Sequence, residues 1–230
     1  MRTILTGLSG LLLFFILLPL HADGRVHRRY DDDVRLVDTS VGDGYISARD
    51  RAVIAELNLM RQDPARYGRK YLEPLRACYK GDLLHYPGSI PMRTREGVAA
   101  LDECIRELEN ARPLPRLSPN RGLSLAARDH VQDQGPIGNI GHSGSDGSSP
   151  TSRIERYGQW ELTAGENISY GYADARKIVA ALLIDDGVPS RGHRKNLLNG
   201  SFRVVGIGMG PHRVYRDMCV MDFAGAYRSR

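Results

Sequence analysis

Apolar residues recur at helical spacing in several stretches of this chain. In ARDRAVIAELNLMRQ (48–62), Val53, Ile54, Leu57 and Met60 share one face with charges opposite, which predicts an amphipathic helix. After Pro64, ARYGRKYL predicts a shorter helical turn. GVAALDECIRELENA (97–111) carries Val98, Leu101, Ile105 and Leu108 on one stripe. Leu123, Leu125, Ala126, Ala127 and His130 predict a core helix entered through PLPRLSPN. TSRIERYGQ predicts a short helix with Thr151 or Ser152 as its N-cap. Asp174 caps ARKIVAALLIDD, which stops at Gly187. Extended chain is predicted for Glu161 to Tyr172, and VVGIGMG and MCVMDFAGAY read as two strands joined by a turn. Helices come first, then strands and helices mixed, then a closing hairpin. That order argues for an α+β fold rather than a parallel βαβ array.

The segments without periodicity set the organisation. Residues 1–22 carry Arg2 and then an apolar run from Leu11 to Leu20, which predicts a secretory signal peptide cut near Ala22. Residues 23–46 are charged and read as a flexible leader, and 47–230 as a single domain. An insertion at about 78–112 is punctuated by Pro87, Gly88 and Pro91, and residues 135–150 form a Gly/Ser-rich loop. No later segment is long and apolar enough to span a bilayer. The charge of +5 is scattered and the aromatics are few, which excludes a nucleic-acid footprint. An exported chain permits disulfides. Cys78 and Cys104 bracket the insertion and are expected to pair, with Cys219 left as a buried thiol.

The candidate chemistry lies in four short segments: His142 in GHSGSDG, Glu166 in AGENIS, Asp185 and Asp186 in LLIDDG, and His193 in SRGHRKNLLN. Imidazoles and carboxylates from separated segments build metal and acid–base sites. Each residue alone reads better as an ordinary loop or cap residue. GHSGS approaches the nucleophile elbow of α/β-hydrolases, but Ser145 stands where that motif needs Gly, and no helix follows directly. Two acids at a helix C-terminus oppose its dipole, so a cation or hydrogen-bond donors should compensate them. The plainer reading is that Asp186 starts a turn with Gly187. Arg191 and Arg194 would favour a neutral His193 if they lie close, and Gly192 would let the backbone approach. The sequons at Asn167 and Asn199 overlap these segments and read as coincidence.

Together the segments resemble the CAP superfamily of cysteine-rich secretory proteins, antigen 5 and plant pathogenesis-related class-1 proteins, which share the SCP domain. The resemblance runs from about residue 49 to 227. It rests on Leu57–Arg61, on Leu117–Asn120 with Ala126 and Ala127, on His142, on Gly165–Asn167, on Gly192–Leu198, and on Phe223–Ala224. It implies an α-β-α sandwich with a small antiparallel sheet between helix layers. It also implies a cleft tetrad of two histidines, His142 and His193, and two acids, the first being Glu166. The second acid follows an aromatic by three positions in the family. With Leu183 in that place the match is Asp186, and with Leu182 it is Asp185.

The resemblance implies a secreted or periplasmic binding protein. It would hold zinc or another divalent cation through His142 and His193, and would bind a sterol, another lipid or a small ligand elsewhere. The alternative is a metal-assisted hydrolase of protease or esterase type with Glu166 as general base, or Ser143 as nucleophile in a weaker variant. A third reading is an interaction protein whose tetrad is structural.

Overall fold

The computed structural model describes residues 3–4, 44–86 and 88–230. The expected signal peptide, apart from Thr3–Ile4, and the leader up to residue 43 lie outside the described residues. The leader's end is not free: Ile46 is buried, and its carbonyl accepts from Arg51 while that of Tyr45 accepts from Arg128.

Helix α1 (Ala48–Gln62) opens with a capping box between Ser47 and Asp50. Asp63 then caps α2 (Pro64–Tyr67), which continues through a π-helical and a 3₁₀ turn to Cys78. The insertion is more regular than its punctuation predicts. Strands β2 (Tyr79–Lys80), β3 (Leu83–Leu84) and β4 (Met92–Arg93) form a small antiparallel sheet, and α3 (Val98–Asn110) follows. Leu101, Cys104, Ile105 and Leu108 of α3 join the main core. Val98, expected on that stripe, sits in the first turn and is exposed. Cys78, Cys104 and Cys219 are all free thiols, so the expected Cys78–Cys104 bridge is not formed.

The main sheet runs β1-β6-β8-β7-β5. Long antiparallel strands β6 (Gly158–Tyr170), β7 (Val204–His212) and β8 (Arg216–Ser229) form its body. The two-residue edges β1 (Thr3–Ile4) and β5 (Ser118–Pro119) pair in parallel with β6 and β7. Period 2 divides the inner strands between two helix layers. Cys219, Met221 and Phe223 face the core shared with α1, α3 and α6 (Ala175–Ile184), whereas Met218, Val220 and Ala224 face α4 (Arg121–Ile137). The α+β sandwich therefore follows from alternation plus amphipathic helices. Gly206 and Gly208 show how close the α4 layer lies: a Cβ would stand 2.1 Å from the Leu123 carbonyl carbon and 2.7 Å from that of Ala127. The GIGMG run thus serves helix–strand approach.

Several boundaries differ from the expectation: β6 already begins at Gly158, inside the stretch predicted helical, and α6 ends at Ile184, ahead of the expected stop at Gly187. Helix α4 runs on to Ile137 through Pro136, ending at left-handed Gly138. Helix α5 (Pro150–Glu155) is capped by Ser149, ahead of Thr151 and Ser152, because Pro150 fits the first helical position.

Candidate functional site

His142 lies in the loop between α4 and α5, and that loop is tightly held. Gln134 donates to the carbonyls of Gly141 (2.9 Å) and Ser143 (3.0 Å). His130 bonds the Gly141 carbonyl at 2.8 Å, and the Gly141 N–H donates to the Tyr170 hydroxyl at 2.9 Å. With its loop fixed, His142 Nδ1 meets Glu166 Oε1 at 2.7 Å. The second Glu166 oxygen accepts from Arg153 at 2.7 Å, and both of those side chains are almost fully buried. Arg153 also donates to the His142 carbonyl (3.0 Å), so α5 positions both partners. Burial opposes the Glu166 charge, but the bond from His142 and the charge of Arg153 outweigh it and hold the carboxyl below its usual range.

His193 stands in the first turn of α7 (Gly192–Leu197). Its Nδ1 meets Asp185 Oδ1 at 2.7 Å. The other Asp185 oxygen accepts the backbone N–H of His193 (2.9 Å) and of Arg194 (3.3 Å). Asp185 itself ends α6 in the left-handed region at φ +56°. Its unfavourable place at one helix C-terminus is thus offset by donors at the N-terminus of the next helix. Asp186 points elsewhere and accepts the N–H groups of Arg95 (2.8 Å) and Glu96 (2.8 Å) in the insertion. Asp185, rather than Asp186, is therefore the acid beside His193. The left-handed turn into α7 is made by Arg191 (φ +50°), with Gly192 already helical.

Arg191 and Arg194 flank His193 in sequence, yet their charges are taken by the insertion. Arg191 binds Glu96 (2.6 Å) and Glu103 (2.7 Å). Arg194, fully buried, binds Glu103 (2.8 Å), Glu107 (2.9 Å) and the carbonyls of Leu183 and Ile184 (2.9 Å for the latter). The side chain of Asn167 links the two halves: it donates to the His193 carbonyl at 3.0 Å and accepts from Asn196 at 2.8 Å. Asn167 is fully buried, which closes that sequon to glycosylation.

The fold brings the two imidazoles to a ring-centroid separation of 6.4 Å. A carboxylate accepts, so in the neutral rings each Nδ1 carries the proton and each Nε2 keeps a lone pair. Ser143 is exposed and makes no hydrogen bond to either ring. No group of three or more metal-capable His, Cys, Asp or Glu side chains occurs among the described residues.

Two site residues escaped the sequence reading. Arg153 lies in a short polar helix, where an arginine looks like solvent-facing charge. Asp222 pairs across the ladder with Glu166 and is fully buried, with the Glu166 carboxylate as its near neighbour. Burial first, then the charge of Glu166, pushes its carboxyl well above the usual range, with Arg153 offsetting only part. Its signal was available: a lone acid at the inward parity of Met218, Val220 and Ala224.

A sequence model described as the Cysteine-rich secretory protein (CAP) family matches residues 57–223. The uncharacterized protein YkwD of Bacillus subtilis (strain 168) is 33% identical over 115 residues, 48% of this chain and 43% of its own. The chain thus spans under half the length of that relative. An extracellular protein containing a SCP domain from Bacillus anthracis str. Ames is 27% identical, with a TM-score of 0.39 over 54% of this chain and 37% of its own. An outer surface protein from Borrelia burgdorferi is 24% identical, with a TM-score of 0.40 over 54% of this chain and 86% of its own.

Proposed function

This chain belongs to the cysteine-rich secretory protein (CAP) family, and on that premise we propose that it is an exported binding protein that holds a divalent cation, zinc first, between His142 and His193. One observation carries the reading. Each imidazole is fixed through Nδ1 by a buried carboxylate, at 2.7 Å in both cases, which frees both Nε2 atoms. A carboxylate behind a ligating imidazole is the usual support of a protein zinc site, because it fixes the tautomer and raises basicity. With Zn–N bonds of about 2.0–2.1 Å, a tetrahedral ion would draw the ring centroids to about 5 Å. The observed 6.4 Å is wider than that, so a bound ion would have to draw the rings together against the bonds that hold them. Two imidazoles leave the remaining positions to water or ligand, where a bound cation would act as a Lewis acid.

Both Glu166 oxygens are engaged, by His142 and Arg153, which supports a role in holding the ring over abstraction of a proton from water. The apolar run at the N-terminus supports export, and no helix among the described residues is long and apolar enough to cross a membrane. The test is calorimetric titration of Zn²⁺ into metal-free protein beside the His142→Ala/His193→Ala double variant. Saturable one-to-one binding lost in the variant is the expected result. Equal binding by both proteins, or none by either, sinks the metal reading.

A further inference from the structure

Among the described residues, the large apolar side chains exposed to solvent include Ile137, Ile140 and Val214, and these three sit together. Exposed apolar residues scattered singly are ordinary, but a group of them calls for a partner. Ile137 ends α4, Ile140 follows in the loop that leads to His142, and Val214 lies in the turn between β7 and β8. The two turns are pinned to each other. The Arg213 N–H donates to the Gly135 carbonyl at 2.8 Å. Buried His212 donates through Nε2 to the Asn139 carbonyl (2.8 Å) and accepts the Tyr215 N–H at Nδ1 (3.1 Å). A Cβ on Gly138 would stand 2.9 Å from the Val214 side chain. The rings of Tyr170 and Tyr215 pack beside His212, with centroids 5.2 Å from it in both cases. On this support Ile137 and Val214 each remain 51% exposed.

The charge at the rim is positive. Arg213 and Arg216 flank Val214, are exposed, and make no ion pair among the described residues. The neighbouring acids are engaged. Asp217 binds Arg49 at 2.6 Å, and Asp133, one turn before Ile137, accepts the N–H (2.7 Å) and the hydroxyl of Ser145. Three arginines thus face two acids, and two of the arginines have no acid of their own.

We propose that this patch docks the exported domain on an anionic lipid bilayer. The aliphatic tips enter the interface while Arg213 and Arg216 meet lipid phosphates. Protein interfaces concentrate their energy in packed central pockets. Two turn tips with aliphatic side chains and unpaired cations suit a fluid anionic surface better. Ile140 lies two residues before His142, so docking brings the histidine loop to the lipid surface. The site goes beyond the metal reading and does not depend on it.

The core residues all lie from Ile46 onward, so the exported chain 23–230 holds the whole core and is free of the apolar run at 11–20, which would itself enter a bilayer. It is sedimented, in chelator and at low salt, with vesicles of phosphatidylcholine alone or mixed about 2:1 with phosphatidylglycerol. Saturable binding to the mixed vesicles, at least about 10-fold tighter than to the neutral ones, is expected. Arg213→Gln/Arg216→Gln should weaken it about 30-fold, and Ile137→Ser/Val214→Ser about 10-fold. The control Arg112→Gln/Arg121→Gln removes two exposed arginines from another part of the surface and should bind as wild type. All three variants should keep the wild-type melting temperature, because the altered side chains are exposed. If the serine variant fails to fold, the arginine variant and the control decide. No binding by wild type, equal binding to both kinds of vesicle, binding unchanged in either folded patch variant, or an equal loss in the control overturns the proposal.

Discussion

His142 and His193 end in the same bond, Nδ1 to carboxylate at 2.7 Å, but their surroundings differ. On the His142 side, Glu166 is balanced by one buried guanidinium, Arg153, with the buried carboxyl of Asp222 across the ladder. On the His193 side, Asp185 is balanced by backbone N–H groups, and the flanking arginines pair with half-exposed glutamates of the insertion. In the first arrangement Glu166, Arg153 and Asp222 are buried behind a part-exposed His142, so each buried charge depends on a specific partner. The second spreads its load over backbone dipoles and solvent-screened acids, so its outer members should be dispensable.

The comparison breaks most sharply at Arg153. Arg153→Met strands Glu166 in the interior and should cost about 3–5 kcal/mol of unfolding free energy in urea; a loss under about 1 kcal/mol would mean that the buried half is not electrostatically tight. Asp185→Ala removes the cap of α7 and the partner of His193, for an expected loss of about 2 kcal/mol, smaller because it leaves backbone N–H groups rather than a buried charge without a partner. Thermal melts of the two variants side by side would show whether this ranking holds.

Asp222 sharpens the contrast through pH. Its folded pKa lies above the unfolded value, so the folded chain keeps a proton that the unfolded chain has lost. Its contribution is complete below about pH 3.9 and declines as pH rises. Glu166 runs the other way: its folded pKa is depressed, so its contribution is present above about pH 4.3 and is lost as pH falls through the folded value. Asp222→Asn should therefore stabilise the protein at neutral pH and not below about pH 4. Melting curves from about pH 4 to 8 that stay parallel to wild type would contradict the neutral assignment.

The smallest effect is expected at Glu103. Arg191 lowers its carboxyl to about 2 with help from Arg194, yet its side chain is 43% exposed. Glu103→Gln should cost less than about 1 kcal/mol, read as a small shift in urea midpoint. A loss as large as that of Arg153→Met would erase the distinction between the halves.

Much of the fold was legible because its signals are local. The stripe of α1 needs only Val53, Ile54, Leu57 and Met60, and the two closing strands need only VVGIGMG and MCVMDFAGAY. The insertion was harder. Its three short strands carry too few residues to show a period, and Leu101, Ile105 and Leu108 do not say which surface they cover. The choice between Asp185 and Asp186 was open for the same reason. At the end of a helix, one residue of rotation sends a side chain to a different neighbour, and that rotation is set by where α7 and Arg95 dock.

Residue type and spacing suffice for the amphipathic faces, for the closing strands, and for the four segments that hold His142, Glu166, the Asp pair and His193. It took the packed molecule to show that Asp185 serves His193, that Arg153 and Asp222 belong with Glu166, and that the insertion takes up the arginines beside His193. Those contacts join residues far apart in the chain, 91 positions in the case of Glu103 and Arg194. Their energy comes from shared burial and paired charge, which exist only once the layers have closed on one another.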